Sequence, residues 1–146
     1  MQLRDATPAD IDALRGVFRR SSWSNEGDRP AITAHPEWLH WDPDPSMLTR
    51  LAVVDGIIGG FASGRPEATF MELVDLFTEP AMMRRGIATA LVDDIVRIAA
   101  RLGLASLDVA ANPHATAFYE RAGFVLIGTV TIESGPAPRM RREITT

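Results

Sequence analysis

The stretch RRGIATAL, residues 84–91, places two arginines directly before a glycine and a run of small and apolar residues. If Gly86 opens a helix, Arg84 and Arg85 lie where free backbone N–H groups and the helix dipole already favour an anion. A glycine here lets a ligand approach the backbone closely. The stretch is not a P-loop, since no Gly-Lys-Ser/Thr follows, and it lacks the three-glycine dinucleotide fingerprint. It predicts a strand-to-helix turn that binds an anion, with a solvated helix start as the alternative.

The residues before this turn have the pattern of strands. LTRLAVVDGIIGGFASG, residues 48–64, predicts two strands joined at Asp55-Gly56, a strong signal for a two-residue hairpin. A third strand is predicted from about Thr69 to Thr78, where Pro80 stops it. A helix follows at about 85–102 and Gly103 ends it. Its predicted buried stripe is Ala88, Leu91, Val92, Ile95, Ala99 and Leu102.

The two ends of the chain complete the predicted architecture. Leu3 begins a short strand, and Thr7-Pro8 with Asp10 predicts a capped helix start. Residues 21–46 are the least regular stretch. After the central helix the pattern predicts a strand at 104–110, a short helix at 114–122, a strand at 124–132 and a final strand at 139–144, reached through 134–138. This order predicts one α+β domain spanning 1–146, with a mostly antiparallel sheet and one parallel strand–helix–strand crossover.

Composition narrows the classes of function. The 146 residues carry a formal net charge of −4, so no overall basic field favours nucleic acid or an acidic membrane. No cysteine is present, which excludes disulfides, thiolate metal sites and a cysteine nucleophile. The start of the sequence lacks a signal-peptide core, and no apolar run approaches the length of a membrane span. We therefore expect a soluble cytoplasmic protein without nucleic-acid or membrane partners.

A second motif, NPHATAFYERAGF at residues 112–124, makes the first one specific. Together the two motifs resemble the GNAT superfamily of acyl-CoA-dependent N-acetyltransferases, in which the acyl-CoA pyrophosphate lies on a Gln/Arg-x-x-Gly-x-Gly/Ala turn. That window is 83–88 here. Met83 stands where the family often has Gln or Arg, so a side-chain contact is lost and the two arginines are candidates to replace it. The family's second segment, Asn-x-x-Ala-x-x-x-Tyr-x-x-x-Gly-Phe, is matched in order by Asn112, Ala115, Tyr119, Gly123 and Phe124.

The resemblance implies a GNAT-type sheet flanked by about four helices, with acetyl-CoA as co-substrate. The cofactor contacts that it implies are Phe77, Thr78, Arg84, Arg85, Gly86, Ile87, Ala88, Thr89, Asn112 and Phe118. It also implies that Tyr119 is the general acid, because a phenol with a pKa of about 10 stays protonated at neutral pH and can donate to the leaving sulfur. A tyrosine at the edge of the core is the alternative reading of that residue.

The general base is less clearly indicated. Glu72 lies eleven residues before Met83, the spacing of the base in the histone-acetyltransferase branch of the family. Asp75 is the alternative. Strand alternation places it on the opposite face from Glu72, although a bulge, typical of this strand in the family, would change that. A water relay remains open, with both acids as ordinary sheet charges.

The acceptor is expected to be a small-molecule or peptide amine. The family usually builds its acceptor pocket from the regions corresponding here to 22–44 and 133–138. Trp23, Trp38 and Trp41 would line this pocket or anchor the segment to the core. His35, His40 and His114 lack metal-ligand spacing, so no metal site is expected. Direct attack in a ternary complex is expected because the chain has no cysteine. A non-catalytic acyl-CoA sensor and a protein-interaction module are the competing functions, and the resemblance also allows a homodimer.

Overall fold

The computed structural model describes residues 1–145 as one mixed sheet flanked by four helices, as the sequence predicted. The strands are β1 (Gln2–Asp5), β2 (Leu48–Val54), β3 (Ile57–Pro66), β4 (Phe70–Thr78), β5 (Ser106–Ala110), β6 (Val125–Ile132) and β7 (Gly135–Glu143). The helices are α1 (Ile11–Ser24), α2 (Arg29–Ala34), α3 (Ile87–Arg101) and α4 (Thr116–Arg121). The spatial order is β1-β2-β3-β4-β5-β7-β6. Within the described residues, no helix is both long and apolar enough to cross a bilayer.

The hairpin and the crossover form where the local sequence signals them. Asp55 and Gly56 have φ values of 52° and 77°, the left-handed pair that a two-residue hairpin turn requires. Among residues 1–145, β4 and β5 form the one parallel pair, and they are connected through α3. Their pairing joins residues 70–73 to 106–109 and stops there, while β4 continues to Thr78. The second half of β4 therefore separates from β5, leaving an opening in the middle of the sheet.

The entry to α1 also follows the prediction. The Thr7 N–H and hydroxyl both donate to Asp10 Oδ2, at 2.8 and 3.0 Å. The Arg4 guanidinium donates to both oxygens of the same carboxylate, at 2.8 and 3.0 Å. These contacts hold the pKa of Asp10 well below its usual range, with the Arg4 hydrogen bond as the largest cause. Through Arg4 and Asp10, β1 is fixed to the turn that starts α1.

Two apolar clusters cover the two faces of the sheet. On one face α3 and α4 pack against the central strands, with Met71, Leu73, Leu107 and Tyr119 in that cluster. On the other face α1 packs against β3 and β4, with Leu14, Leu51, Phe61 and Trp41 in that cluster. Side chains of β4 contribute to both clusters, because Met71 and Leu73 belong to the first and Phe77 packs against the second. A shift of register along β4 would therefore move a side chain from one face of the sheet to the other.

Three details differ from the prediction. The last strand begins at Gly135, so residues 135–138 belong to β7 rather than to a connection; Pro136 and Pro138 are tolerated because β5 pairs with β7 only from Arg139 onward. Leu102 is 55% exposed at the frayed end of α3, and Ala88 lines a cleft instead of the core. Residues 21–46 contain α2 and short 3-10 turns, in addition to the end of α1.

Candidate functional site

The turn after β4 has the backbone that its sequence predicted. Arg84 has a φ of 67°, which is uncommon for a residue other than glycine. Gly86, at the N-cap of α3, has a φ of 76°. A Cβ built on Gly86 meets no atom of the described residues within 4 Å, so it would project into open space. Close packing of α3 on the sheet fixes this helix start, since a Cβ on Gly60 would lie 2.7 Å from the Phe77 carbonyl oxygen and 2.9 Å from Ile87.

That open space is a cleft of about 440 Å³ between the start of α3 and α4. Its volume lies in the range of small-molecule sites. The predicted residues that it brings together are Thr78, Arg84, Gly86, Ile87, Ala88, Thr89, Phe118 and Tyr119. The two sequence motifs, separated along the chain by β5, thus line one cleft.

Six lining residues were not predicted as contacts: Ser21, Leu76, Met83, His114, Ala115 and Arg121. For three of these residues, the sequence spacing already indicated a place beside the cleft. His114, Ala115 and Arg121 stand three or four positions from Phe118, which places all four on one helical face. Ser21 comes from the far end of α1, and nothing in its local sequence connects it with the cleft.

Three predicted contact residues lie apart from the cleft lining. Phe77 points to the other face of the sheet, where its ring centroid lies 4.8 Å from that of Phe18 and 5.6 Å from that of Phe61. The side chain of Asn112 accepts a 2.9 Å hydrogen bond from the His114 N–H and so caps the turn before α4. Arg85 is exposed and does not line the cleft. None of these three residues therefore belongs to the cleft lining.

Tyr119 combines burial with access to the cleft. The residue is 6% exposed and its ring packs edge-on against Phe118 and Phe124, with centroids 5.2 and 5.1 Å away. No side-chain or backbone group among residues 1–145 hydrogen-bonds its hydroxyl. Burial raises the pKa of Tyr119 to about 12, because the phenolate would be poorly solvated. The phenol is therefore a proton donor held in its neutral form.

A bulge in β4 changes the predicted placement of the two acids. Ser63 lies opposite Asp75 and Arg65 lies opposite Glu72, with the register shifted between Ser63 and Gly64. Ser63 and Arg65 alternate regularly on β3 and share a face, so their partners Glu72 and Asp75 share that face too. Plain alternation, which predicted opposite faces, was wrong, and the bulge that the sequence analysis gave as the alternative is present, with Val74 as the extra residue.

Glu72 is bound on both oxygens. Arg139 of β7 donates from its two terminal nitrogens to the two oxygens of Glu72, at 2.7 and 2.6 Å. Asp108 of β5 lies 3.8 Å from the same guanidinium. This bidentate geometry fixes Glu72 across the sheet, with both of its oxygens already accepting hydrogen bonds from Arg139.

Asp75 has a different environment. It is 9% exposed and accepts a 3.0 Å hydrogen bond from the indole N–H of Trp41. Burial raises the pKa of Asp75, and the hydrogen bonds from Trp41 and Ser63 oppose that effect only partly. A buried carboxylate without a cationic partner is a stronger base than an exposed one.

The backbone of β4 supplies donors at the opening of the sheet. The N–H of Glu79 donates to Gly59 of β3, so alternation along β4 leaves the N–H groups of Leu76 and Thr78 facing away from β3. Both residues line the cleft, beyond the point where β5 has separated from β4. Unpaired backbone donors in this position are suited to stabilise a negatively charged oxygen.

The three tryptophans have separate roles. Trp41 belongs to the apolar cluster beneath α1, whereas Trp23 is 40% exposed beneath the Arg29 guanidinium. Trp38 stacks on His35 with ring centroids 4.3 Å apart. The three do not form one pocket wall.

Among residues 1–145 no group of three His, Asp or Glu side chains is arranged to hold a metal ion.

Comparisons with known proteins agree with this geometry. The model of the acetyltransferase (GNAT) family matches residues 13–124. An aminoglycoside 6'-N-acetyltransferase complexed with coenzyme A is 20% identical, with 100% of this chain and 98% of that chain covered and a TM-score of 0.75. PaiA N-acetyltransferase from Thermoplasma acidophilum, in complex with coenzyme A, is 18% identical over 97% and 98% of the two chains, with a TM-score of 0.75. The ribosomal-protein-alanine N-acetyltransferase from Escherichia coli is 19% identical over 99% and 94%, with a TM-score of 0.73. The comparison with curated proteins gave no match.

Proposed function

The chain belongs to the acetyltransferase (GNAT) family, and from this premise we propose that it is a single-domain enzyme that transfers an acetyl group from acetyl-CoA to a primary amine. The observation that carries the proposal is the cleft in which the N-terminus of α3 and the unbonded hydroxyl of Tyr119 meet. One end of this cleft has the donors for a phosphate, and its wall has a proton donor for a leaving thiolate.

The residues of the cleft fit coenzyme A. The first-turn N–H groups of α3 and the Arg84 side chain would hold the pyrophosphate, and Gly86 leaves room for it beside the backbone. Phe118 and Ile87 offer apolar surface to the pantetheine arm. When bound, acetyl-CoA supplies the thioester carbonyl that the amine attacks. Solved relatives crystallised with coenzyme A support this assignment.

Tyr119 is proposed as the general acid. Its raised pKa keeps the phenol protonated at neutral pH, so it holds a proton for the departing sulfur. The N–H groups of Leu76 and Thr78 are proposed to stabilise the negative charge on the carbonyl oxygen. The acid and these donors both border the cleft.

Asp75 is proposed as the base in preference to Glu72. An amine with a pKa near 10.4 is almost fully protonated at neutral pH, so a base must remove one proton before the attack. Asp75 is buried and has no cationic partner within the described part of the chain, whereas both oxygens of Glu72 are bound by Arg139. Because the sequence contains no cysteine, we propose direct attack of the amine on the thioester in a ternary complex.

The acceptor is proposed to be a small-molecule or peptide amine. Among the solved relatives are acetyltransferases of aminoglycosides and of a ribosomal-protein alanine, and both acceptors present amines. The segment 22–44, which contributes the acidic side chains of Glu26, Asp28 and Glu37, is the proposed acceptor wall. Negative charge along that wall would favour a cationic amine.

The test has a binding step and a turnover step. Calorimetric titration with acetyl-CoA and CoA, with ATP as a control, asks whether the cleft takes the CoA skeleton. Release of free thiol from acetyl-CoA in the presence of a panel of aminoglycosides, polyamines and peptides with free N-termini then measures transfer. Binding together with amine-dependent thiol release supports the enzyme. Binding without release from any amine indicates an acyl-CoA sensor, and no binding contradicts both.

A further inference from the structure

Three polar side chains form a row across the centre of the sheet. Thr49 of β2 lies directly opposite Ser63 of β3, and Ser63 lies directly opposite Asp75 of β4. Directly opposed residues project from the same face, so the three side chains are neighbours. The Thr49 and Ser63 hydroxyl oxygens are 3.2 Å apart, and the neighbouring Ser63 side chain lowers the pKa of Asp75 against the effect of burial.

The row passes through an apolar layer. The neighbouring pair on the same face is Leu51 and Phe61, both fully buried, and Ser63 is itself 0% exposed. Burying a hydroxyl at this position lowers the free energy of unfolding unless the hydroxyl is hydrogen-bonded. Apolar side chains would fill the layer without this destabilisation. Here the Thr49 and Ser63 hydroxyls are partners of one another, and Asp75 is the next polar side chain of the row, directly across the strand pair from Ser63.

The outer end of the row reaches solvent. Thr49 lines a second cavity of about 360 Å³, between the start of α1 and the segment before β2. This volume holds several water molecules, each of which needs about 30 Å³. Asp44 lines the same cavity, and hydrogen bonds from the Ser46 N–H and hydroxyl lower its pKa. A carboxylate that stays ionised is thus present where a proton would leave.

We propose that Asp75, Ser63 and Thr49 form a proton relay that carries the proton of the acceptor amine across the sheet to this second cavity. The proposal rests on the proposed acetyltransferase function. An ammonium group loses one proton to the Asp75 carboxylate, and the neutral amine then forms the bond to the carbonyl carbon. Asp75 passes its proton to the Ser63 oxygen as Ser63 passes its own to Thr49, and Thr49 passes its own to water.

The stoichiometry of the reaction requires one such exit. An ammonium ion and acetyl-CoA give an amide, CoA thiol and one proton. The thiolate that leaves takes its proton from Tyr119, and the second proton of the nitrogen restores Tyr119. The single remaining proton is the one that the relay removes. The three relay side chains lie on the α1 face of the sheet, and the cleft beside α3 and α4 lies on the other face. A proton that follows the relay therefore does not cross the proposed CoA site.

The other charged side chains on this face form ion pairs with one another. Glu72 and Asp108 bind Arg139 and Arg141 on the strands, and Arg65 binds Glu67. From α1, Arg15 donates to the Trp41 carbonyl and to Asp42, and His40 contacts Asp42. None of these groups hydrogen-bonds Asp75, so the titration of Asp75 depends mainly on burial, Trp41 and Ser63.

Kinetics of three variants test the relay. Ser63→Ala and Thr49→Val, which keep volume and remove one hydroxyl, are expected to lower kcat by about tenfold or more, with the KM for acetyl-CoA unchanged. Thr49→Ser retains the hydroxyl and should keep most of the activity. Ser106→Ala is the matched control, because Ser106 is also buried and donates to an aspartate, Asp108, at 2.7 Å. Equal kcat values for Ser63→Ala, Thr49→Val and the control would overturn the relay.

A second measurement does not depend on turnover. The carbonyl band of protonated Asp75, identified in infrared difference spectra against Asp75→Asn, gives the titration midpoint of that residue. Ser63→Ala should move the midpoint to higher pH, and Thr49→Val should move it in the same direction by less, because the chain is coupled. Unmoved midpoints in both variants would overturn the relay even if the enzyme is active. Moved midpoints with no transfer to any amine would instead contradict the proposed function.

Discussion

The indole N–H of Trp41 donates a 3.0 Å hydrogen bond to Asp75, which lies 34 residues further along the chain on the bulged strand β4. Both partners are buried, and Trp41 also packs edge-on against Phe61 with ring centroids 5.0 Å apart. The contact therefore fixes the irregular segment before β2 to the strand that borders the opening of the sheet. It also supplies the carboxylate with a donor that carries no charge.

Replacing Asp75 by Asn is expected to stabilise the fold at neutral pH and to abolish most activity. The pKa of Asp75 is raised above its ordinary value of 3.8, so the folded wild type loses stability as the pH rises from 3.8 through the raised value. Asn cannot ionise and avoids this loss, so its advantage should grow across that window and level off above it. Urea unfolding of both proteins at a series of pH values measures the difference. A variant that is less stable than wild type at neutral pH would contradict the burial argument.

Trp41→Phe is expected to move the acidic limb of the pH profile of kcat/KM to higher pH. The indole hydrogen bond favours the ionised form of Asp75, and its loss raises the pKa of Asp75 further. Trp23→Phe is the control, because Trp23 is 40% exposed and contacts Arg29 rather than the acid. If the two variants have the same acidic limb, Asp75 does not determine the profile.

Tyr119→Phe is expected to lower kcat by about 10²-fold or more, because the leaving thiolate loses its proton donor. The fold should keep its stability, since no group among the described residues hydrogen-bonds the hydroxyl that is removed. With a pKa of about 12, Tyr119 should produce no basic limb in the wild-type profile below that value. Steady-state kinetics with a thermal unfolding control measure both effects. Unchanged kcat would remove Tyr119 from the chemistry.

Glu72→Gln separates the two candidate bases. The change breaks the bidentate contact with Arg139, which should lower the free energy of unfolding by about 1–3 kcal/mol. If Asp75 is the base, the folded variant retains a wild-type pH profile. A loss of activity as large as that of Asp75→Asn, with acetyl-CoA binding intact, would instead identify Glu72 as the base.

Local signals accounted for most of the fold. Asp55-Gly56 turns the hairpin, Thr7 and Asp10 start the first helix, and Gly86 opens α3, because each depends on backbone preferences of a few adjacent residues. The common cleft of the two motifs was also predictable, since a parallel crossover brings a strand end and the following helix to one side of the sheet.

The family resemblance raised a bulge in β4 as an alternative, but the local sequence did not predict its presence or its position. Val74 is β-branched and suits a regular strand, so nothing in MELVDLFT marks the position at which the register shifts. The shift places Glu72 and Asp75 on one face. Phe77 is directed away from the cleft into the layer beneath α1. The role of Asn112 as a cap for the turn before α4 likewise depends on a contact that its motif does not reveal.

Calorimetric titration of acetyl-CoA into wild type, Gly86→Glu and Gly103→Glu tests the central claim most directly. Gly86 and Gly103 lie at opposite ends of α3 with φ values of 76° and 75°, and neither has an atom of the described residues within 4 Å of a Cβ. The two substitutions therefore impose similar backbone strain, and only the first fills the cleft. The account predicts binding with a Kd of about a micromolar for wild type and Gly103→Glu, and no binding for Gly86→Glu. Equal affinity in all three proteins would contradict the assignment of the cleft to coenzyme A.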